Sequence, residues 1–165
     1  MTGLFQFCYF REVQMSVPTA ANRTDSARIL LVDDNRGGLA ARRAVLEELG
    51  HRITTATGGE EALEQFSKAE FDLVITDYRM GKMTGVELIT KLRGMEPAVS
   101  IILLSGFVGA LGLTESTTGA DLVLAKSANE VTHLIRAVSR LLRPKATKKP
   151  VTSQKLSTKA KQKTS

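Results

Sequence analysis

From residue 28 onward, short apolar runs alternate with stretches of helical periodicity. The runs are 29–32 (IleLeuLeuVal), 52–56, 73–75 (LeuValIle), 100–104 and 122–125. Runs of this kind, bounded by polar residues, read as strands, and continuous apolar ones fit strands covered on both faces. Between the first two runs, Leu39, Ala41, Val45, Leu46 and Leu49 form a stripe that predicts a helix over 38–49, stopped by Gly50. Ala62, Leu63 and Phe66 mark a second helix over 59–69. Val86, Leu88, Ile89 and Leu92 mark a third, with Gly94 as its stop. Val131, Leu134, Ile135, Val138, Leu141 and Leu142 mark the last, stopped by Pro144. The interval 107–118 is poor helix material, with Gly109, Gly112 and a Thr/Ser cluster at 114–118. Only the need for a right-handed crossover between the fourth and fifth strands places a helix there. Five strands alternating with five helices predict an α/β three-layer sandwich around a five-stranded parallel sheet.

The ends of the chain follow a different pattern. Residues 1–27 lack sustained periodicity, and 19–26 reads as a linker, so a flexible N-terminal extension is expected. The first ten residues are apolar but lack a basic start and a small-residue cleavage site, which argues against a signal peptide. Met15 is an alternative start. Residues 144–165 are rich in Lys, Thr and Ser, with only Val151 and Leu156 as large apolar residues, and are expected to form a disordered basic tail. The folded domain is therefore expected over 28–143, standing alone.

Charge sharpens this division. The net charge is +6, but residues 131–165 hold ten Lys/Arg and no Asp/Glu, which leaves −4 for the first 130 residues. The basic character belongs to the C-terminal end. Apolar content of 42% and charged content of 24% are ordinary for a globular protein in water. No apolar run approaches the ~20 residues of a membrane helix. The single cysteine, Cys8, excludes a disulfide framework and a cysteine metal site, and weakly favours a reducing, cytoplasmic setting.

The candidate chemistry sits where the strands stop. Asp33 and Asp34 follow the first run, Asp77 follows the third, Ser105 ends the fourth and Lys126 follows the fifth. Ligands of open parallel sheets bind at the carboxyl ends of the strands. Carboxylates gathered there repel one another unless a cation joins them, and a hard divalent ion with oxygen ligands, such as Mg2+, suits them. Side chains alternate along a strand, so Asp33 and Asp34 point differently; one can ligate directly and the other through water. A lone Asp at a strand end is more often a turn former, and Asn35 suits a helix N-cap. The Asp pair, Asp77 and Lys126 at separate strand ends outweigh those readings together. The set predicts a site in which Asp77 attacks phosphorus, Lys126 holds a phosphoryl oxygen and Ser105 donates to another.

These residues resemble the receiver domain of bacterial two-component response regulators, over about 28–143. LeuValAspAspAsn (31–35) is similar to the family's acidic pocket, ThrAspTyrArgMet (76–80) with Gly85 to its phosphoacceptor loop, and GlyAlaAspLeuValLeuAlaLys (119–126) to its lysine-terminated run. The resemblance implies a flavodoxin-like sheet of order 2-1-3-4-5. It implies Asp77 as phosphoacceptor, Asp34 as direct and Asp33 as outer Mg2+ ligand, and the Arg79 backbone carbonyl in the metal shell. It also implies Ser105 as the switch hydroxyl, and a histidine kinase or histidine phosphotransfer protein as donor. Three positions depart from the family pattern: Ser127 where proline is common, Val123 where an aromatic switch is common, and Gly81 where proline is common.

Rival readings are a polyanion binder acting through the Lys-rich tail and gated by the domain, a phosphohydrolase of the haloacid-dehalogenase type, and a receiver that no longer takes phosphate. The tail lacks aromatics for base stacking, so its binding would be sequence-blind. The hydrolase would want Asp-x-Asp after the first strand, which AspAspAsn (33–35) does not supply.

Overall fold

A computed structural model describes residues 26–143. The expected flexible extension, apart from its last two residues, and the expected basic tail lie outside them.

The elements run in strict alternation: β1 (Arg28–Val32), α1 (Arg36–Glu48), β2 (Arg52–Ala56), α2 (Gly59–Lys68), β3 (Leu73–Asp77), α3 (Gly85–Met95), β4 (Ser100–Ser105), α4 (Val108–Leu111), α5 (Glu115–Thr118), β5 (Leu122–Ala125) and α6 (Glu130–Leu141). All strand pairs are parallel, in the order β2-β1-β3-β4-β5. β1 therefore lies beside β3, as the three-layer reading requires.

Alternation along the central strands builds two cores. Leu30, Val32, Val74, Ile101 and Leu103 face one side and pack with Ala62, Leu88, Ile89 and Leu92 of α2 and α3. Ile29, Leu31, Leu73, Ile75, Ile102 and Leu104 face the other and pack with Leu39, Leu46, Leu134, Ala137 and Val138 of α1 and α6. The strands read as unbroken apolar runs because both of their faces are covered.

The structure revises three helix expectations. The buried stripe of α1 is Leu39, Arg42 and Leu46, whereas Ala41 and Leu49 are exposed. Gly94 lies inside α3; the helix ends at Met95, where Pro97 forces the preceding Glu96 into extended backbone (φ −142°, ψ 95°). The crossover over 107–118 is two single turns instead of one helix. Gly112, at φ +59°, takes the left-handed conformation that ends α4, and Thr114 restarts the chain by capping α5 through Thr117 N.

Candidate functional site

The first strand delivers Asp33 and Asp34 to the carboxyl edge of the sheet. Asp33 is buried and Asp34 exposed, as alternation demands. Asp33 N extends the β1–β2 ladder by donating to Ala56 O, 3.2 Å away. Its Oδ1 accepts from Asn35 N at 2.8 Å. Asn35 in turn caps α1, its side-chain oxygen accepting from Gly38 N at 3.0 Å.

Asp77 closes β3 and is also buried. The loop behind it is held tightly: Tyr78 N donates to Leu104 O and Gly85 N to Tyr78 O, both at 2.8 Å. A Cβ on Gly85 would lie 2.3 Å from Asp77 O and 2.8 Å from a Leu103 methyl, so only glycine allows α3 to start this close to the strand end. Asp33, Asp34 and Asp77 each present a carboxylate oxygen within 4.8 Å of the others.

Lys126 approaches from two strands away. Its backbone N–H donates to Ser105 O at 2.9 Å, which fixes the strand end. Its ammonium lies 2.7 Å from Asp77 Oδ1 and 3.2 Å from Asp33 Oδ2. No peptide bond among the described residues is cis, so Lys126–Ser127 is trans. Val123, at the aromatic-switch position, is half-buried against the α2–α3 core. Ser105 is buried at the end of β4, and its Oγ accepts from Phe107 N at 3.0 Å. Register pairs Asp77 with Leu104, so the Ser105 hydroxyl follows directly on the neighbouring strand. Arg79 is exposed, and its guanidinium stacks over the Phe107 ring, 5.2 Å from the centroid. In the chain Gly81 lies between Arg79 and α3, with φ +40°.

The sequence reasoning missed two members of this cluster. Arg42, buried on α1, donates from Nη1 to Asp33 Oδ2 at 2.7 Å and from Nε to Glu130 Oε1 at 2.5 Å. Glu130 is the first residue of α6. The available signal was a charged residue at the i+3 position after Leu39, inside the apolar stripe.

The electrostatics show what the cluster lacks. Burial raises the Asp77 carboxyl above the usual range, and the hydrogen bond and charge of Lys126 only partly offset this, while Asp33 adds repulsion. Lys126 thus leaves the buried Asp77 carboxylate only partly compensated. Three converging carboxylates, one of them open to solvent, suit a hard oxygen-seeking divalent cation.

Comparison with known proteins points to one family. The profile of the response regulator receiver domain matches residues 29–139. The gliding motility regulatory protein of Myxococcus xanthus is 34% identical over 127 residues, covering 74% of this chain and 16% of that protein. The transcriptional regulatory protein ZraR of Escherichia coli is 31% identical over 83 residues, covering 50% of this chain and 19% of ZraR. The chain thus spans under a fifth of the length of these relatives. Among solved structures, the response regulator TrrA of Thermotoga maritima, in complex with Mg2+ and BeF, is 35% identical, with a TM-score of 0.64 over 70% of this chain and 98% of that one. The chemotaxis response regulator CheY4 of Vibrio cholerae is 29% identical, with the same TM-score of 0.64 and the same 70% and 98% coverage.

Proposed function

The chain belongs to the response regulator receiver family, and on that footing we propose that it accepts a phosphoryl group on Asp77 from a phosphohistidine of a histidine kinase or phosphotransfer protein. The observation that carries this reading is the convergence of Asp33, Asp34 and Asp77 with the Lys126 ammonium at one sheet edge.

In the proposed step an Asp77 carboxylate oxygen attacks phosphorus. The phosphorus–nitrogen bond of the donor breaks, its electron pair stays on the imidazole, and an acyl phosphate forms on Asp77. Asp34, Asp77 and the Arg79 backbone carbonyl would hold Mg2+, with Asp33 as the outer carboxylate. When bound, the ion would neutralise charge on the phosphoryl oxygens. The TrrA relative, held with Mg2+ and BeF, supports a metal at such a cluster. Lys126 is already beside the attacking carboxylate and would follow the transferred oxygens. The Ser105 hydroxyl would donate to another of them. The product would be a signalling state instead of a turnover product, with the protein-contact surface biased by phosphate occupancy. No helix of the described residues is long and apolar enough to cross a membrane, and cytoplasmic action is part of the proposal.

Incubation with a small-molecule phosphodonor and Mg2+, followed by mass spectrometry, tests it. Covalent phosphate is expected on Asp77, and none on an Asp77→Asn variant. Full phosphate uptake by that variant would overturn the assignment.

A further inference from the structure

Phosphoryl transfer as described leaves the Arg42–Glu130 pair without a role. Arg42 is almost wholly buried, its side chain 8% exposed, yet it carries a full charge into a cluster that must attract a cation. Room has been made for it. A Cβ on Gly38 would lie 2.9 Å from Arg42 Nη1 and 3.6 Å from Asp33 Oδ2, so glycine at this position in the first turn of α1, despite its poor helix propensity, leaves the space the guanidinium fills. The fork is divided between two carboxylates on different elements, Asp33 after β1 and Glu130 at the start of α6.

Asp33 is correspondingly occupied. Its Oδ1 takes the Asn35 N–H, and its Oδ2 takes both Arg42 and Lys126. A carboxylate offers about four acceptor positions, so little of Asp33 is left for a direct metal bond. Arg42 therefore orients Asp33 and at the same time opposes cation entry. Glu130 sits on the far side of the guanidinium and cancels its charge. Four carboxylates then face two cations, and the negative balance that a bare Asp33–Asp34–Asp77–Lys126 cluster would have is restored.

We propose that Arg42 and Glu130 are a charge-matched pair that sets the cation affinity of the acidic cluster, Arg42 as the positioning residue that holds Asp33 in its outer role and Glu130 as its neutraliser. The pair also ties the site to the first turn of α6. A partner that pulls Glu130 away from Arg42 would weaken metal binding, and by reciprocity metal would oppose that partner. This rests on the reading of the cluster as a Mg2+ site.

The test is Mg2+ titration of the full chain by calorimetry, with Mn2+ followed by electron paramagnetic resonance as a second probe, without phosphodonor. Glu130→Gln keeps an acceptor for Arg42 and removes the neutralising charge; affinity is expected to fall on the order of fivefold. Arg42→Gln removes the opposing charge; affinity is expected to rise by a similar factor. The double variant is expected near wild type. A purely structural role would shift affinity in one direction or leave it unchanged, and either result would overturn the proposal. Circular dichroism checks folding; should Arg42→Gln not fold, Glu130→Gln decides, because an unchanged affinity there overturns the proposal alone. Wild-type protein that binds neither ion would overturn the metal-site reading and this inference together.

Discussion

The Lys126 ammonium lies 2.7 Å from Asp77 Oδ1, reaching across β4 to the end of β3. The ammonium is paired with the carboxylate in the structure, so the proposed transfer would need only a short shift of this charge from the carboxylate to the phosphoryl oxygens, as for a preorganised donor. Lys126→Met keeps the apolar stem and removes the charge. Its initial rate of phosphate uptake is expected to fall by roughly 10²–10³-fold, the range for losing one preorganised donor. Mg2+ affinity, measured in the same samples, should hold or rise because a competing cation is gone.

The raised pKa of Asp77 makes its ionised form a burden on the folded state. A carboxyl whose folded pKa exceeds its unfolded value contributes stability below the unfolded pKa, about 4, and loses it as pH rises through the folded pKa. Asp77→Asn mimics the neutral form at every pH. Without divalent metal, the variant is expected to melt close to wild type near pH 4 and above it near pH 7. Saturating Mg2+ should close or reverse that gap, because the ion stabilises only the protein that binds it. Thermal melts at the two pH values, with Mg2+ and with a chelator, check both statements.

Much of this architecture is legible in the sequence because its central strands are covered on both sides. Ile29–Val32 and Leu73–Ile75 show as unbroken apolar runs, and the acidic residues mark where they stop. The different fates of Asp33 and Asp34 also follow from alternation alone. Helix faces are less legible. Arg42 takes the buried place that apolar periodicity would assign to a neighbour, because its partner Glu130 lies 88 residues away and only the fold brings them together. Gly94 does not stop α3, since propensity costs about 1 kcal/mol and packing of Leu88, Ile89 and Leu92 outweighs it. Conversely, Gly112 does break the crossover at 107–118, where α4 buries no side chain that could hold a longer helix.

Two glycines of α3 allow a matched comparison. Gly85 meets Asp77 O at 2.3 Å from its would-be Cβ, whereas Gly94 meets nothing within 4 Å. Gly85→Ala is expected to destabilise by about 1–3 kcal/mol through overpacking, and to slow phosphate uptake because the displaced atom is the Asp77 carbonyl. Gly94→Ala is expected to stabilise by about 0.5–1 kcal/mol and leave uptake unchanged. Chemical denaturation and the phosphorylation assay measure the two effects separately.

The seven lysines between Lys145 and Lys163, with no acidic residue among them, give the C-terminal end a strong charge excess. Affinity for polyanions from this source falls steeply with salt. A chain truncated after Pro144 is expected to melt and take phosphate like the full chain, while losing retention on heparin or nucleic acid at low ionic strength. Equal retention of both chains would remove the polyanion reading. Loss of phosphotransfer from a kinase on truncation would instead make the segment a docking element.

Asp33 and Asp34 adjoin in sequence but are expected to fail in different ways. Asp34 is exposed and directs its carboxylate toward those of Asp33 and Asp77. Asp33 is buried and engaged by Asn35 N, Arg42 and Lys126. Asp34→Ala therefore removes a ligand and little structure: Mg2+ affinity should fall by about tenfold or more, since roughly 1.4 kcal/mol suffices for each factor of ten, and the melting temperature should stay within a degree or two. Asp33→Ala leaves the buried Arg42 guanidinium and the half-buried Lys126 ammonium each short of an acceptor. It should cost about 1–3 kcal/mol of stability and weaken Mg2+ binding less than Asp34→Ala does. Calorimetric titration and melting of the same two variants separate the roles. Equal affinity losses with equal stabilities would mean that both carboxylates ligate the ion directly, and that the hydrogen bonds holding Asp33 do not survive metal entry.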